Sequence, residues 1–412
     1  MGVAWFVTAL YYFFQYMLRS APAVMMPELS AGFGLSAAAV ASLVGLFYYS
    51  YAPFSLVAGA AMDRLGPRRV VPIGAAVVGV GALMFASGSS SIGAVGRLLQ
   101  GAGGVFALIG AVYIATTHFP ASRAATLIGV AQMFGMAGGF AGQVLVGPLI
   151  ASGVPWATFW TAMGLAALVI SGILYVLLPA EAARTDHQRN WLSEATGSIG
   201  LVLRNPQSWL CGVIAGLMFV PTSIFDMVWG VRYLQEAQGF DYADAVLRSS
   251  MVPAGWIVGC PLLGVLSDRL GRRKPVIIAS AVVLLLCLAW ILYGTPGLVP
   301  PYALGLMTGI ASGAAMLPYT VIKEANPRHV SGSATGVIGF LNLSLTALLG
   351  PVFANMLVPQ GSGSGPIAAA TYQAAFTPIV YGVGLAVVLA FFLKETGPAV
   401  RGTAPAAGSR PS

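Results

Sequence analysis

The chain has 412 residues, 58% of them hydrophobic and 8% charged, with 52 glycines and a formal net charge of +8. Soluble domains carry about 25% charged residues, so this balance, with a mean hydropathy of +0.84, excludes a water-soluble globule and indicates an integral membrane protein. A basic balance can signal nucleic-acid binding, but the cations lie at the ends of apolar runs and not in a patch, and no nucleic-acid partner is expected.

A membrane-crossing helix needs about 20 apolar residues. Twelve such runs follow one another, at 3–26, 37–61, 70–89, 92–117, 125–151, 155–178, 208–233, 246–266, 275–294, 298–322, 332–357 and 371–393. They are continuous and not alternating, which excludes a membrane β-barrel. The first has little charge before it and no small-residue cleavage site, so it is expected to stay as a span. It carries a permanent cation, Arg19, within YYFFQYMLRSAPAVMMP. The second ends in the loop GAAMDRLGPRR at 59–69, and the fourth holds Arg97 within GRLLQGAGG. The fifth is rich in glycine at Gly135, Gly138, Gly139 and Gly142, a pattern that lets helices approach closely. Trp156, Trp160 and Trp209 fall near run ends and are expected to anchor at the interface.

After the sixth run a longer polar stretch, 179–207, reads as a linker with a short amphipathic helix around Trp191 to Leu203. The seventh run holds Asp226, the one acidic residue set firmly inside a span; the eighth ends in GVLSDRLGRRK at 264–274. Residues 397–412 are small and polar and are expected to be disordered. Cys211, Cys260 and Cys287 fall in helices as packing residues, and His118, His187 and His329 are too scattered for a metal site. No G-x-x-x-x-G-K-[ST] loop occurs, so ATP is not used by that route; any driving force would come from ion or substrate gradients, with protons a candidate and no cofactor. No enzyme activity is expected.

The two loops align at a constant offset of 205: Gly59 with Gly264, Asp63 with Asp268, Arg64 with Arg269, Gly66 with Gly271 and Arg68 with Arg273; Gly34 and Gly239 keep the same spacing. The chain thus divides into two six-helix halves of like orientation, 1–178 and 208–396. If Met1 starts in the cytoplasm, sixteen of the twenty Lys and Arg residues fall on that side. The positive-inside rule then puts both termini in the cytoplasm, in a bacterial-type inner membrane.

The paired G-x-x-x-D-R-x-G-x-R-[RK] loops resemble the signature of the major facilitator superfamily, secondary transporters of twelve helices. The likeness covers residues 3 to 396 and implies an all-α membrane fold of two pseudo-symmetric bundles. It also implies that Gly59, Asp63, Arg64, Gly66, Arg68 and their counterparts Gly264, Asp268, Arg269, Gly271 and Arg273 latch the halves in one conformation. Arg19, Pro27, GLS at 34–36, FYYSYA at 47–52 and DRLGPRR at 63–69 further resemble the anion:cation symporter family. Its helix-one arginine meets a substrate carboxylate, a role that falls to Arg19. Leu18 stands where that family has an acidic residue, and QGAGGVF lacks its helix-four glutamate, so the likeness supplies no proton-carrying carboxylate there. A looser likeness is to proteobacterial intraphagosomal amino-acid transporters.

At 100° per residue Tyr12, Gln15, Tyr16 and Arg19 share a face of the first helix, and Thr222, Asp226, Trp229 and Tyr233 share one of the seventh. An Arg or Asp at a helix centre costs about 2.5–3.5 kcal/mol on an insertion scale, so both should face a partner or a cavity. Either Arg19 and Asp226 neutralise each other, or Arg19 grips an anionic or zwitterionic ligand through its planar fork. Tyr49, Gln132, Tyr319 and Asn342, with Tyr48, Tyr51 and Tyr113, are candidates to complete a small-molecule site. Asp226 and Arg97 are candidates for proton coupling, and Arg97 has packing through Gln100 and backbone carbonyls as its alternative. The expected function is transport of a small organic anion or amino acid by a lipid-embedded monomer. A hydrophobic-drug exporter and a sensor on the same scaffold are the alternatives.

Overall fold

A computed structural model describes residues 1–119, 121–178, 191–294, 300–327, 330–357 and 366–397. The described secondary structure is helical, arranged as twelve successive spans. In the first half these are Gly2–Ser20, continued by a 3-10 turn at Ala21–Val24 and a helix at Met26–Phe33, then Ala37–Leu65, Pro67–Phe85, Ser90–His118, Ala121–Val144 with Val146–Ala151, and Trp156–Leu177. In the second they are Pro206–Val220 running on to Glu236, Tyr242–Ser249 with Met251–Leu270, Lys274–Tyr293, Pro301–Ser312 running on to Ala325, Ser331–Leu357 and Ala369–Ala390. Eleven of these are long and apolar enough to cross a membrane. The twelfth, span one, falls short by that measure because Tyr11, Tyr12, Gln15, Tyr16 and Arg19 lower its hydropathy.

The polar stretch after span six contains the expected helix, Trp191–Leu203; the part of the linker at 179–190 and the tail from 398 onward lie outside the described residues. The repeat read from the loops has a backbone counterpart. Gly34 and Gly239 have φ of 64° and 74°, and Gly66 and Gly271 have 74° and 62°. Gly34, Gly66 and Gly271 each end a helix and Gly239 lies just beyond Val231–Glu236, all at a positive φ that only glycine adopts cheaply, so both halves turn the chain at the same two places.

Glycines bring spans one and five into backbone contact. A Cβ on Gly138 would lie 2.0 Å from the carbonyl oxygen of Phe13, and one on Gly142 2.2 Å from Ser20 Oγ. Gly139 instead faces Met227 and Pro253 of the second half. The halves also meet where Ser55 Oγ donates to Gly336 O at 3.3 Å, towards the arginine-rich end. At the opposite end the Tyr242 hydroxyl donates to Val24 O at 2.5 Å and approaches Gly147 O at 3.4 Å. Trp209 is exposed and Trp156 half-buried, but Trp160 is fully buried. Its indole N–H points at Met25 Sδ, so it packs the core of the first half and does not anchor at an interface.

Candidate functional site

Span one stops being α-helical one residue after Arg19, because Pro22 lacks an amide proton and the chain tightens into the 3-10 turn. Arg19 is 3% exposed and sits inside a ring of aromatic side chains. Its guanidinium carbon lies 4.6 Å from the centroid of Tyr16, 4.8 Å from Tyr48, 5.3 Å from Phe47, 5.6 Å from Phe219 and 5.8 Å from Tyr51. The negative ring faces attract the cation. Nε donates to the Tyr48 hydroxyl at 3.3 Å, and Nη2 is buried without a hydrogen-bond partner. Spans one and two supply four of the rings; Phe219, from span seven, brings the cage to the seam between the halves.

Most of the expected residues gather around this cage. Tyr12 stacks edge-on against Tyr16 at 5.0 Å, and its hydroxyl reaches Gln132 Oε1 at 3.4 Å. The Gln132 amide points on to Met316 of the second half at 3.8 Å. From span ten Tyr319 lies within electrostatic reach of Tyr16 and Arg19, and its hydroxyl accepts from Asn342 Nδ2 at 3.1 Å. Asn342 Oδ1 and both amide atoms of Gln15 are buried without partners. Native interiors leave few such atoms unpaired; the Gln15 amide lies against Gly104 of span four, and Asn342 joins the cage through Tyr319.

Three expected residues stand elsewhere. Tyr49 is 43% exposed on the outer surface of its helix, one position past the side that carries Tyr48 and Tyr51. Asp226 and Trp229 are buried away from Arg19. The ten residues Pro221–Gly230 form a π-helix, whose i→i+5 winding is wider than an α-turn, so faces assigned at 100° per residue slip. Asp226 is thereby turned to span eight, where Ser249 Oγ donates to its Oδ1 at 2.8 Å. Its Oδ2 has no partner, and Gln143 of span five lies beside the carboxyl without reaching hydrogen-bond geometry. Trp229 packs 5.9 Å from the Arg232 guanidinium. Thr222 and Tyr233, expected on the same face, bond to Trp256 Nε1 and to Ile291 O respectively. Among the described residues, ion pairs join Arg232 to Glu236, Arg248 to Asp244, and Arg273 to both Asp268 and Glu324, among others. The neutralisation of Arg19 by Asp226, one of the two alternatives read from the sequence, is not among them.

Arg97 is 1% exposed and well satisfied. Nε and Nη2 donate to Val44 O at 3.2 and 3.1 Å, and Nη1 to Gln100 Oε1 at 2.7 Å and Leu18 O at 3.4 Å. It ties spans one, two and four together in the packing arrangement read as its alternative.

At the arginine-rich end the second loop forms a network within its own half. Arg273 pairs with Asp268 and Glu324, and Glu395 accepts from the backbone N–H groups of Arg273 at 2.7 Å and Lys274 at 3.1 Å. Burial tends to raise the Glu395 carboxyl, but these donors, with those of Gly397 and Thr396, outweigh it and hold the group below the usual glutamate range. Glu324 and Glu395 were not read from the sequence, where each is a single carboxylate near a span end. Arg269 is exposed, Arg68 stacks 5.1 Å from the Tyr175 ring, and a Cβ on Gly59 or Gly264 would meet nothing within 4 Å. The side chains of Asp63 and Arg64 lie outside the described residues.

The family model of the Major Facilitator Superfamily matches residues 8–351. The "Probable sulfoacetate transporter SauU" of Cupriavidus necator is 25% identical over 280 residues, covering 65% of each chain. The "Membrane sensor protein UhpC" of Salmonella typhimurium is 26% identical over 387 residues, covering 83% of this chain and 82% of that one. In fold, the D-xylose-proton symporter superposes with a TM-score of 0.71 at 16% identity, over 97% of this chain and 98% of its own.

Proposed function

The chain belongs to the Major Facilitator Superfamily, and from that premise we propose that it carries a small organic anion, gripped at Arg19, across a bacterial inner membrane. Secondary transport by alternating access, the halves rocking about a site near the seam, is the mode of action that the family membership supports. The observation that carries the choice of an anion is the state of Arg19. It is a buried permanent cation whose surroundings are rings, a phenol and a seam between the halves, with no carboxylate paired to it among the described residues. A buried charge is costly unless it is paired, and an arriving carboxylate or sulfonate supplies that pair through two parallel hydrogen bonds. Gln15, Gln132, Tyr319 and Asn342 stand ready for the polar remainder of a small ligand. The similarity to a sulfoacetate transporter supports the same chemistry.

Both termini are assigned to the cytoplasm, the monomer is the working unit, and the driving force is an ion gradient, with protons favoured. The similarity to a membrane sensor favours one second reading, a receptor that binds an anion and does not move it. Purified protein in liposomes, offered labelled sulfonates, monocarboxylates, dicarboxylates, sugar acids, sugar phosphates and amino acids with and without a pH gradient, tests both. Saturable uptake of an anion, abolished by Arg19→Ala, is the expected result. Tight binding with no uptake of any compound would favour the sensor, and uptake of hydrophobic cations that survives Arg19→Ala would overturn the anion reading.

A further inference from the structure

Asp226 belongs to a different opening from the aromatic cage. A cleft runs within the second half between spans seven, eight, nine and ten, with Asp226 and Ser249 along its wall. Gln238 and Gly294, at the end of the bundle opposite the arginine-rich loops, are half-buried and line the same cleft. The way between the halves at that end is occupied by the Tyr242 hydroxyl on Val24 O and Gly147 O. Asp226 therefore faces a passage that does not pass through the seam.

The surroundings of the carboxyl narrow what the passage delivers. Span seven contributes Tyr233, whose hydroxyl is engaged with Ile291 O and Gln238 Nε2. Span eight contributes Ser249, bonded to Asp226, and Arg248, whose Nη2 donates to Asp244 at 3.1 Å, whose Nε is buried without a hydrogen-bond partner, and which packs over Phe240 and Tyr302. Span five contributes the Gln143 amide, fully buried with both atoms unpartnered. Spans nine and ten offer the apolar Trp290 and Leu304. No further charged side chain lines the cleft among the described residues. A buried ionised carboxylate demands a cation or several donors; here it has one donor and a free oxygen, and among the described residues no group of three or more His, Cys, Asp or Glu stands together to hold a metal ion.

We propose that the Asp226 carboxyl takes up a proton from the far-side water through this cleft, by a route separate from the one the substrate takes between the halves. Proton and cargo then meet different parts of the protein, and Gln143, reaching from the other half, is the group through which occupancy of the carboxyl is felt across the seam. This rests on the transport reading only for the use made of the proton; the site and its route stand on the geometry above.

The test uses the full chain in liposomes and dicyclohexylcarbodiimide, which adds to a protonated carboxyl and leaves an N-acylurea on it, located by peptide mass mapping. Asp226 is expected to be modified, with a rate falling about tenfold from mildly acidic to alkaline buffer. Capping Gln238→Cys with a bulky impermeant maleimide from the far side should slow modification by a water-soluble carbodiimide about fivefold, by closing the mouth. An unmodified Asp226 at every pH overturns the proton site. Protection by sodium independent of pH would make the occupant a metal ion, and an unchanged rate in the capped variant would overturn the route. If no compound in the transport panel moves while Asp226 is modified as described, the transport reading fails and this site survives; the reverse outcome separates them the other way.

Discussion

Replacing Arg19 by Met separates the two roles a buried arginine can have. Five rings lie between 4.6 and 5.8 Å from the guanidinium, and a cation over a ring gains about 0.5–1 kcal/mol when exposed and about 2 when desolvated. The gain is not additive over rings that share one cation, and the hydrogen bond from the charged guanidinium to Tyr48 adds about 1.5–3 kcal/mol. Against this stands the loss of hydration, still several kcal/mol for a buried ion after relaxation. The terms are of similar size and opposite sign, and Met fills much of the same volume. Arg19→Met should therefore change unfolding stability in detergent by no more than about 2 kcal/mol, whereas breaking a true buried ion pair costs about 3–5 kcal/mol. Transport of the anion found in the liposome panel should be lost. A loss of stability in the range of a broken pair, or retained transport, would refute the argument that this cation is held for a ligand.

Other outcomes follow from the same geometry. Arg97→Met leaves Gln100 Oε1 without its donor and removes the ties to Val44 O and Leu18 O; thermal unfolding should show a loss of about 3 kcal/mol. Gly138→Ala sets a methyl group 2.0 Å from the Phe13 carbonyl oxygen and should cost about 1–3 kcal/mol by overpacking, while Gly129→Ala, with nothing within 4 Å, should leave the melting temperature unchanged. The Glu395 carboxyl is held below the usual range, so its contribution is complete above that range and lost as pH falls through the lowered value. Much of this side chain meets solvent, so the effect is local. The protection of the Arg273 and Lys274 amides from hydrogen exchange, taken against the intrinsic rate at each pH, should fall on acidification in the wild type and be low at all pH values in Glu395→Gln.

The spans were legible because a membrane helix is written in continuous apolar residues, and the pairing of halves because Gly34 and Gly66 recur 205 residues later, all four glycines having positive φ. Arg19 and its neighbours Tyr12, Gln15 and Tyr16 share a face because span one is regular up to Ser20. Asp226 was misplaced for the opposite reason: nothing in PTSIFDMVWG announces a π-helix except Pro221, and once the winding changes, helical phase no longer predicts a partner. Phe219 shows the other limit, since a phenylalanine in an apolar run carries no signal of the arginine it faces from another half of the chain. Glu324 and Glu395 meet Arg273 only because spans ten and twelve end beside the same loop.

The central claim is that a cargo anion completes the pairing of Arg19 between the halves. A structure with the transported anion bound tests it most directly. The account predicts a carboxylate or sulfonate oxygen about 3 Å from the Arg19 guanidinium nitrogens, with Tyr319 and Asn342 in reach of the same molecule. An anion bound elsewhere, with Arg19 still enclosed by its rings alone, would contradict it.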